Sequence, residues 1–398
     1  MAAASRPMSR LVSAFDAVKA DAAAEIPNLE IRDPKPRVVS RDPKPRVVSK
    51  KLLQFPEIPN RGDPKPRVVS KKLLLRTDRY IGMSLPRQVL PGSDYMITRR
   101  CSERRFFLRP DDDTNNAFVY CLALAALRAK VEILFVVAMS NHYHAGIHDP
   151  DGNFPIFAEH FHALLARCQN AYLGRFEAFW SSDPTSVVRL VEPSDVLDKM
   201  VYAYANPAAA DLVDTVEEWP GVNSFKAART TQRLFAERPK HFFRADGQQP
   251  DVISLPIRRP RNFAGLNQGE WNALVTERVR TAEAEHRERR CAAGKRVLGR
   301  EAILAQKPFD FPKSTEPHFD ISPRIAAKSK WPRIEAIGRS KAFLQQYRAA
   351  IVAWMAGIVD TVFPYGTYWM RRFARVLCES GNGVNEPITP PSEDTAPA

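Results

Sequence analysis

The chain has 398 residues, enough for about two or three domains, and its 44% hydrophobic and 26% charged residues are typical of a soluble globular protein. Lysine and arginine number 59 against 45 aspartate and glutamate residues, which gives a net charge of +14. This excess favours an anionic partner, nucleic acid first and an anionic membrane surface second, although a basic surface without a dedicated partner stays open.

The five cysteines are scattered along the chain and form no Cys-x-x-Cys pair, which argues against a disulfide framework and a structural zinc site. The longest apolar stretches, 131–139 and 349–359, are too short to span a bilayer. The N-terminus also lacks the continuous apolar segment of a signal peptide. We therefore predict a soluble, cytoplasmic protein with no membrane partner.

The N-terminal segment contains the octet DPKPRVVS three times, at Asp33–Ser40, Asp42–Ser49 and Asp63–Ser70. Each copy holds two prolines and cannot lie in the interior of a helix. We predict that residues 1–82 form a disordered basic tail. The tail either contacts phosphates or is a repeated DNA element translated upstream of the true start at Met83, and we favour the second interpretation.

Secondary-structure patterns begin near Leu85 and predict the first domain, residues 83–225. Strands are indicated by runs of β-branched and aromatic residues, and helices by apolar spacing. The order β-α-β-β-α-β, followed by a helix, predicts an α+β fold of the ferredoxin-like type. In chain order the predicted elements are Tyr95–Cys101, Asn116–Lys130, Val131–Met139, Tyr143–His148, Phe157–Trp180, Ser186–Val191 and Pro193–Asn206.

The remaining sequence predicts a mainly helical, basic C-terminal region over residues 226–376 and a disordered tail over 377–398. A proline-broken linker, Arg258–Phe263, precedes a long charged helix at Glu270–Arg296 that ends in a cluster of arginines. A further helix is predicted at Ser329–Met355. Its predicted core positions are Trp331, Ile334, Ile337, Phe343, Leu344, Tyr347 and Trp354.

Two His-x-His pairs are candidates for metal binding, and geometry separates them. His142 and His144 enter a predicted strand, where residues two apart point to the same face and can reach one ion. His160 and His162 lie in a predicted helix, where residues two apart diverge by about 200° and cannot chelate. The first pair is therefore the candidate, although two half-exposed strand histidines without a metal remain the plainer alternative.

Tyr202 and Asn206 form a second candidate pair in the run Tyr-Ala-Tyr-Ala-Asn-Pro. Their i,i+4 spacing places a phenol and a carboxamide on one helix face, where they can supply a nucleophile and a neutral oxygen ligand. Tyr204 lies about 200° away and is expected to face elsewhere. The alternative is a packing tyrosine followed by an asparagine that ends the helix before a proline.

Together these motifs resemble the HUH endonuclease superfamily, and within it the REP-associated tyrosine transposases. Asn-His-Tyr-His at 141–144 is similar to the His-hydrophobic-His motif, and Tyr202-x-x-x-Asn206-Pro207, with Trp219-Pro220 downstream, is similar to the nucleophile helix. The segment 84–101 resembles the opening of such proteins, and Phe363–Phe373 resembles the closing segment of a longer subgroup. The resemblance covers roughly residues 84 to 376.

The resemblance implies a ferredoxin-like catalytic domain in which His142, His144 and Asn206 bind one divalent ion, Mg²⁺ or Mn²⁺. Tyr202 is implied as the nucleophile that forms a 5′-phosphotyrosine with single-stranded or hairpin DNA. A homodimer is left open. Candidate phosphate-binding residues are Arg99, Arg100, Arg104, Arg105, Arg287, Arg289 and Arg290, each of which is otherwise a solvated surface arginine.

Other functions fit the sequence less well. A replication initiator or relaxase belongs to the same superfamily, but no helicase P-loop is present in the sequence. A zinc hydrolase is disfavoured because the sequence has no His-Glu-x-x-His motif. An alternative that is not an enzyme is a domesticated DNA-binding protein without catalytic activity. The presence of all four site residues (His142, His144, Tyr202 and Asn206) disfavours it.

Overall fold

The structure is a computed structural model that describes residues 86–230, 232–313 and 323–381. These residues belong to one compact unit, Val68–Ala398. The predicted N-terminal tail and residues 382–398 of the predicted C-terminal tail lie outside the described residues. No helix within the described ranges is both long and apolar enough to cross a membrane.

A ferredoxin-like order of elements fills the first half of the described chain. The predicted α+β class is confirmed, since four antiparallel strands lie side by side in the order β2-β3-β1-β4. The elements are β1 (Ser93–Arg100), α1 (Asp112–Ala129), β2 (Glu132–Ala138), β3 (His142–Asp149), α2 (Phe154–Tyr172), β4 (Ser186–Leu190) and α3 (Pro193–Ala209).

The second half contributes helices and three small strand pairings. The predicted helices Glu270–Arg296 and Ser329–Met355 are present as α5 and α7. The antiparallel pair of β5 and β6 was not predicted from the sequence. Strand β7 extends the main sheet by pairing parallel to β4. The elements are α4 (Phe225–Arg229), β5 (Arg233–Glu237), β6 (Val252–Pro256), α5 (Gln268–Ala292), α6 (Arg300–Ala305), β7 (Ile325–Ala326), α7 (Lys330–Met355), β8 (Val362–Phe363), α8 (Trp369–Phe373) and β9 (Leu377–Cys378).

Side-chain alternation along the strands divides the core into two layers, one on each face of the sheet. Tyr143 and Ala145 of β3 point to the face covered by α1 and α2. Met96 of β1 and Phe135 of β2 pack on the opposite face, against α3 and α5. His142 and His144 therefore lie on the α3 face, because they alternate with the buried residues of the first layer.

Helix α2 is shorter than the predicted helix Phe157–Trp180. It begins at Phe154 and ends at Tyr172, and Gly174 follows with a φ of +62°. A left-handed glycine is a common helix stop. The chain then turns back, so that Trp180 bridges to Cys101 at the end of β1 instead of continuing the helix.

Helix α7 contacts the rest of the described chain along a narrow seam. Its buried residues are Ala336, Phe343 and Ala350, which are seven residues apart. The prediction that Trp331, Ile334 and Ile337 are core residues was wrong, since these side chains are 49%, 49% and 40% exposed. Seven-residue spacing keeps one edge of a helix in contact, and these three residues lie outside that edge.

The N-terminus of α3 is fixed by hydrogen bonds from two directions. Glu192 and Asp195 form a capping box, in which each side chain accepts from the backbone of the other residue. The Lys328 backbone N–H donates to Asp195 Oδ1 at 2.7 Å, and Ser329 donates from its hydroxyl to Glu192 at 2.9 Å. The segment before α7 thus anchors the helix that carries Tyr202.

Close packing of α3 on the sheet depends on Gly146, two residues beyond His144 on the same face. A Cβ atom at Gly146 would lie 2.1 Å from Cε1 of Phe135, so the phenyl ring occupies the space that any other residue would need. The Phe135 ring in turn contacts Tyr204 of α3, with ring centroids 6.4 Å apart. Glycine at this position therefore helps to set the separation between α3 and β3.

We predict that Gly146→Val lowers the free energy of unfolding by about 3 kcal/mol, because the added methyl groups overlap a buried ring. Urea denaturation followed by circular dichroism measures the change. The matched control is Gly338→Ala in α7, where an added Cβ meets no described heavy atom within 4 Å. This control is expected to be neutral or to stabilise by up to about 1 kcal/mol, and equal effects of both variants would contradict the packing argument.

Candidate active site

An open cleft of about 500 Å³ lies at the end of the sheet where β1 finishes and β3 starts. Strand β1 contributes residues 98–100, strand β3 contributes His142 and His144, and helix α3 contributes Tyr202 and Asn206. The loop before β4 closes one side. Four residues that sequence analysis took from two distant segments thus line one cleft.

The two strand histidines are neighbours on the α3 face of β3. Their ring centroids are 4.9 Å apart, and the rings are nearly perpendicular. Strand pairing places His144 opposite Thr98 and His142 opposite Arg100. His142 Nδ1 lies 2.7 Å from Asn141 Oδ1, which fixes Nδ1 as the protonated nitrogen and leaves the lone pair on Nε2.

His144 is buried, with 5% of its surface exposed, and both of its ring nitrogens have partners. Nδ1 lies 2.8 Å from the Thr98 hydroxyl, and Nε2 lies 3.4 Å from the Asn206 side-chain nitrogen. Burial first, and then the charges of His142 and Lys199, hold the pKa of His144 well below its usual value. The imidazole is therefore neutral near pH 7, which is the state that binds metals.

Tyr202 is the exposed tyrosine of α3, with 51% of its surface accessible. Its ring meets that of His144 edge to face, with centroids 5.6 Å apart, and the Lys199 ammonium lies 5.6 Å from the ring centroid. Tyr204 faces the opposite way, as predicted. It is fully buried, and its hydroxyl lies 2.9 Å from the Ser224 hydroxyl.

The donor atoms in the cleft fit a divalent ion. His142 and His144 each direct one nitrogen lone pair away from its Nδ1 partner, and the Asn206 carboxamide lies beside His144 Nε2. A half-turn of that amide presents its oxygen instead of its nitrogen. Within the described residues no three His, Cys, Asp or Glu side chains form a group that could hold an ion, and the Asn206 amide is the further donor beside the two histidines. The amide oxygen suits Mg²⁺ or Mn²⁺, and the two imidazoles favour Mn²⁺ over Mg²⁺ because Mn²⁺ is the softer ion.

The candidate arginines of β1 and the following turn differ in their partners. Arg100 lines the cleft and pairs with Asp183 at 3.2 Å. Arg99 also lines the cleft and donates to the His162 ring at 2.8 Å. Arg105 pairs with Glu103 at 2.9 Å, and the Arg104 carbonyl accepts a hydrogen bond from Asn141. Of these four arginines, Arg99 and Arg100 line the cleft, and Arg104 and Arg105 are not among its lining residues.

The arginines of α5 meet two acidic residues that follow α3. Arg290 is only 4% exposed and forms ion pairs with Asp214 and Asp211. Arg289 pairs with Asp211 at 3.7 Å and donates to the carbonyl of Ala209, a cleft residue. Because Arg290 is buried against carboxylates, we assign it to packing and not to DNA binding. Arg287 is 51% exposed, and its role in DNA binding stays a prediction.

Several residues in or beside the cleft were not identified from the sequence. Thr98 lies in the segment 84–101, which resembles the opening of the family, but no role was assigned to it, and Asp183 lies in no motif. His162, which borders the cleft, was set aside because helical spacing prevents it from chelating with His160. The position of these residues at the cleft becomes apparent only from the strand register and from the loop that brings Trp180 back to β1. A sequence signal existed only for Thr98, which lies in a predicted strand.

Comparison with known proteins gives limited results. No protein-family model matches the chain, and no curated protein matches it. The chain is similar to a solved structure of a REP-associated tyrosine transposase bound to a REP hairpin, at 15% sequence identity and a TM-score of 0.32. The similarity covers 42% of this chain and 92% of that one. The functional assignment therefore depends on the geometry of the cleft.

We predict that Arg290→Ala lowers the free energy of unfolding by about 3 kcal/mol, because it leaves Asp211 and Asp214 near an emptied, buried position. The matched control, Arg287→Ala, removes an exposed partner of Asp214 and is expected to cost less than about 1 kcal/mol. Urea denaturation of both variants measures the difference. A stable Arg290→Ala protein with weakened DNA binding would reverse the assignment of Arg290 to packing.

Proposed function

We propose that the protein is a metal-dependent, single-tyrosine endonuclease and strand transferase that acts on single-stranded DNA, with hairpin DNA as its preferred form. The observation that carries this proposal is the shared cleft of His142, His144, Asn206 and the exposed Tyr202. A solvent-accessible phenol beside two imidazoles and an amide suits nucleophilic attack on a phosphodiester. The net charge of +14 supports a polyanionic substrate.

Tyr202 is the proposed nucleophile. Its oxygen attacks the phosphorus of a phosphodiester, the bond from phosphorus to the 3′ oxygen breaks, and the phenolic proton is transferred in effect to the departing 3′ oxygen. The products are a 5′-phosphotyrosine and a free 3′-hydroxyl. The exposure of Tyr202 allows a strand to approach, and its edge-to-face contact with His144 holds the ring at the cleft.

His142, His144 and Asn206 are the proposed ligands of a Mg²⁺ or Mn²⁺ ion. When bound, such an ion would offset the negative charge of the phosphate and stabilise the charge that develops during attack. Asn141 and Thr98 orient the two imidazoles through their Nδ1 atoms. Partners of this kind commonly fix the tautomer and the direction of a metal-binding histidine.

Strand transfer follows from the same chemistry in reverse. A phosphotyrosine keeps the energy of the broken phosphodiester, so a 3′-hydroxyl from a second DNA strand can displace Tyr202 without ATP. The openness of the cleft allows two strands to enter in turn. This distinguishes the proposed enzyme from a hydrolase, whose product would be a free 5′-phosphate.

We further propose that residues 83–225 carry the catalytic residues and that residues 226–376 support them. Helix α5 packs along α3, with Trp271, Val275 and Val279 in the same apolar layer as Met200 of α3. Arg278 of α5 also pairs with Asp198 of α3 at 2.6 Å. Contacts of this kind stabilise the position of the nucleophile helix.

We predict that the wild-type protein forms a covalent adduct with 3′-labelled hairpin DNA in the presence of Mn²⁺ and that Tyr202→Phe abolishes it. The label must be on the 3′ side, because that fragment keeps the 5′-phosphate. A pool of hairpins with randomised single-stranded flanks serves as the probe, and a denaturing gel separates the adduct. Tyr202 is half exposed, so its replacement is not expected to affect folding.

The matched control is Tyr204→Phe, which removes a phenol from the same helix but on its buried side. Its adduct yield is expected to remain within a factor of about two of wild type, with a small loss of stability. Metal-independent binding without an adduct would instead support a catalytically silent DNA-binding protein. An adduct that persists in Tyr202→Phe would show that another residue is the nucleophile.

We predict that Thr98→Val weakens Mn²⁺ binding by about tenfold, because it leaves His144 without the hydroxyl that orients its ring. His144→Ala is expected to abolish binding, since it removes a proposed ligand. Isothermal titration calorimetry of the purified chain measures both affinities. His160→Ala, a histidine on α2 away from the cleft, is the control, and a His144→Ala protein with wild-type affinity would exclude the proposed site.

A further inference from the structure

A buried group of side chains around His162 borders the cleft but has no part in the chemistry described so far. His162 is 4% exposed and lies on α2, on the face of the sheet opposite to Tyr202. Its ring contacts the Arg99 guanidinium at 2.8 Å and the Tyr143 hydroxyl at 2.6 Å. Its backbone carbonyl accepts a hydrogen bond from the Trp180 indole at 2.9 Å.

The protonation state of His162 follows from these contacts. Arginine can only donate, so Arg99 Nη1 donates to His162 Nδ1. A neutral imidazole has a single N–H, which must then lie on Nε2 and donate to the Tyr143 oxygen. Burial, followed by the charge of Arg99, lowers the pKa of His162 and favours this neutral form.

These contacts hold Arg99 in one orientation at the wall of the cleft. The guanidinium carbon lies 5.5 Å from the Trp180 ring centroid, and Trp180 is itself fixed by the His162 carbonyl. Arg99 thus contacts the His162 ring directly and packs against the Trp180 indole, which the His162 carbonyl holds in place. A cation held in this way loses little conformational entropy when it binds an anion.

The two arginines that line the cleft, Arg99 and Arg100, differ in whether a carboxylate compensates their charge. Arg100 shares its charge with Asp183, which lines the same cleft. Arg99 has no carboxylate partner within the described residues, and its Nε is buried without a hydrogen-bond acceptor there. Partial burial of an uncompensated cation is unfavourable, and a bound anion would relieve it.

We infer that Arg99 is the phosphodiester-binding residue of the cleft and that His162 is its positioning residue. The inference relies on the proposed function only for the identity of the anion, a phosphate of single-stranded DNA. The N–H groups of the Arg99 guanidinium that face the cleft then donate to nonbridging phosphate oxygens, whereas the buried Nε does not reach them. Trp180 supports the guanidinium from one side.

The test measures binding of fluorescein-labelled oligothymidylate to the full chain in the Tyr202→Phe background, where cleavage is blocked. We expect Arg99→Ala to weaken binding about tenfold and to reduce the slope of log affinity against log salt by about 0.7, the value for one lost phosphate contact. The matched control is Arg261→Ala. Arg261 is 65% exposed beside Glu132, at the opposite end of the sheet, and its loss removes the same charge.

His162 is tested with two variants. His162→Leu removes the acceptor of Arg99 and is expected to produce most of the affinity loss and the same change in salt slope. His162→Asn, whose amide oxygen can take the place of Nδ1, is expected to restore at least half of the slope change. Thermal unfolding of every variant separates these effects from loss of folded protein. A merely structural role for His162 would alter the melting temperature without altering the slope.

The double variant decides whether the two residues act together. In the Arg99→Ala background, His162→Leu is expected to have no further effect on affinity, because the group that it positions is absent. Additive losses, or an Arg99→Ala slope equal to that of Arg261→Ala, would overturn the inference. Absence of an adduct from the wild-type chain would reject the nuclease proposal. The affinities and salt slopes of the Arg99→Ala and Arg261→Ala variants would still test whether Arg99 binds phosphate.

Discussion

The contact between helix α3 and the histidine face of strand β3 is the constraint on which the rest of the site depends. Alternation along β3 sends Tyr143 into the layer beneath the sheet and leaves His142 and His144 on the other side. Gly146 admits the Phe135 ring, and α3 packs against that ring through Tyr204. Helical spacing then turns Tyr202 and Asn206 toward the histidines.

Hydrogen bonds and ion pairs at both ends of α3 fix the orientation of this helix. Glu192 and Asp195 accept hydrogen bonds from the segment that leads into α7, and Asp211 and Asp214 are held by arginines of α5. The acidic residues after Asn206 are therefore compensated within the molecule. Their charges therefore oppose an approaching phosphate less than unpaired carboxylates at these positions would.

Two polar groups border the cleft from opposite faces of the sheet. On the α3 face, Thr98 and Asn141 orient the imidazoles. On the other face, Tyr143, His162 and Trp180 surround Arg99. Thr98 and Arg99 are consecutive in β1, so neighbouring residues of one strand serve different sides of the same cleft.

The sequence by itself determined the order of elements from β1 to α3 and the face that each motif residue occupies. Strand alternation and helical spacing are local, so the shared faces of His142 with His144 and of Tyr202 with Asn206 followed from the chain, as did the separation of Tyr202 from Tyr204. Only the tertiary structure decided which faces meet. Strand register pairs Thr98 with His144, a left-handed glycine ends α2 and returns Trp180 to β1, and the α5 arginines divide into buried and exposed members. These features arise from packing between segments far apart in sequence, where local periodicity carries no information.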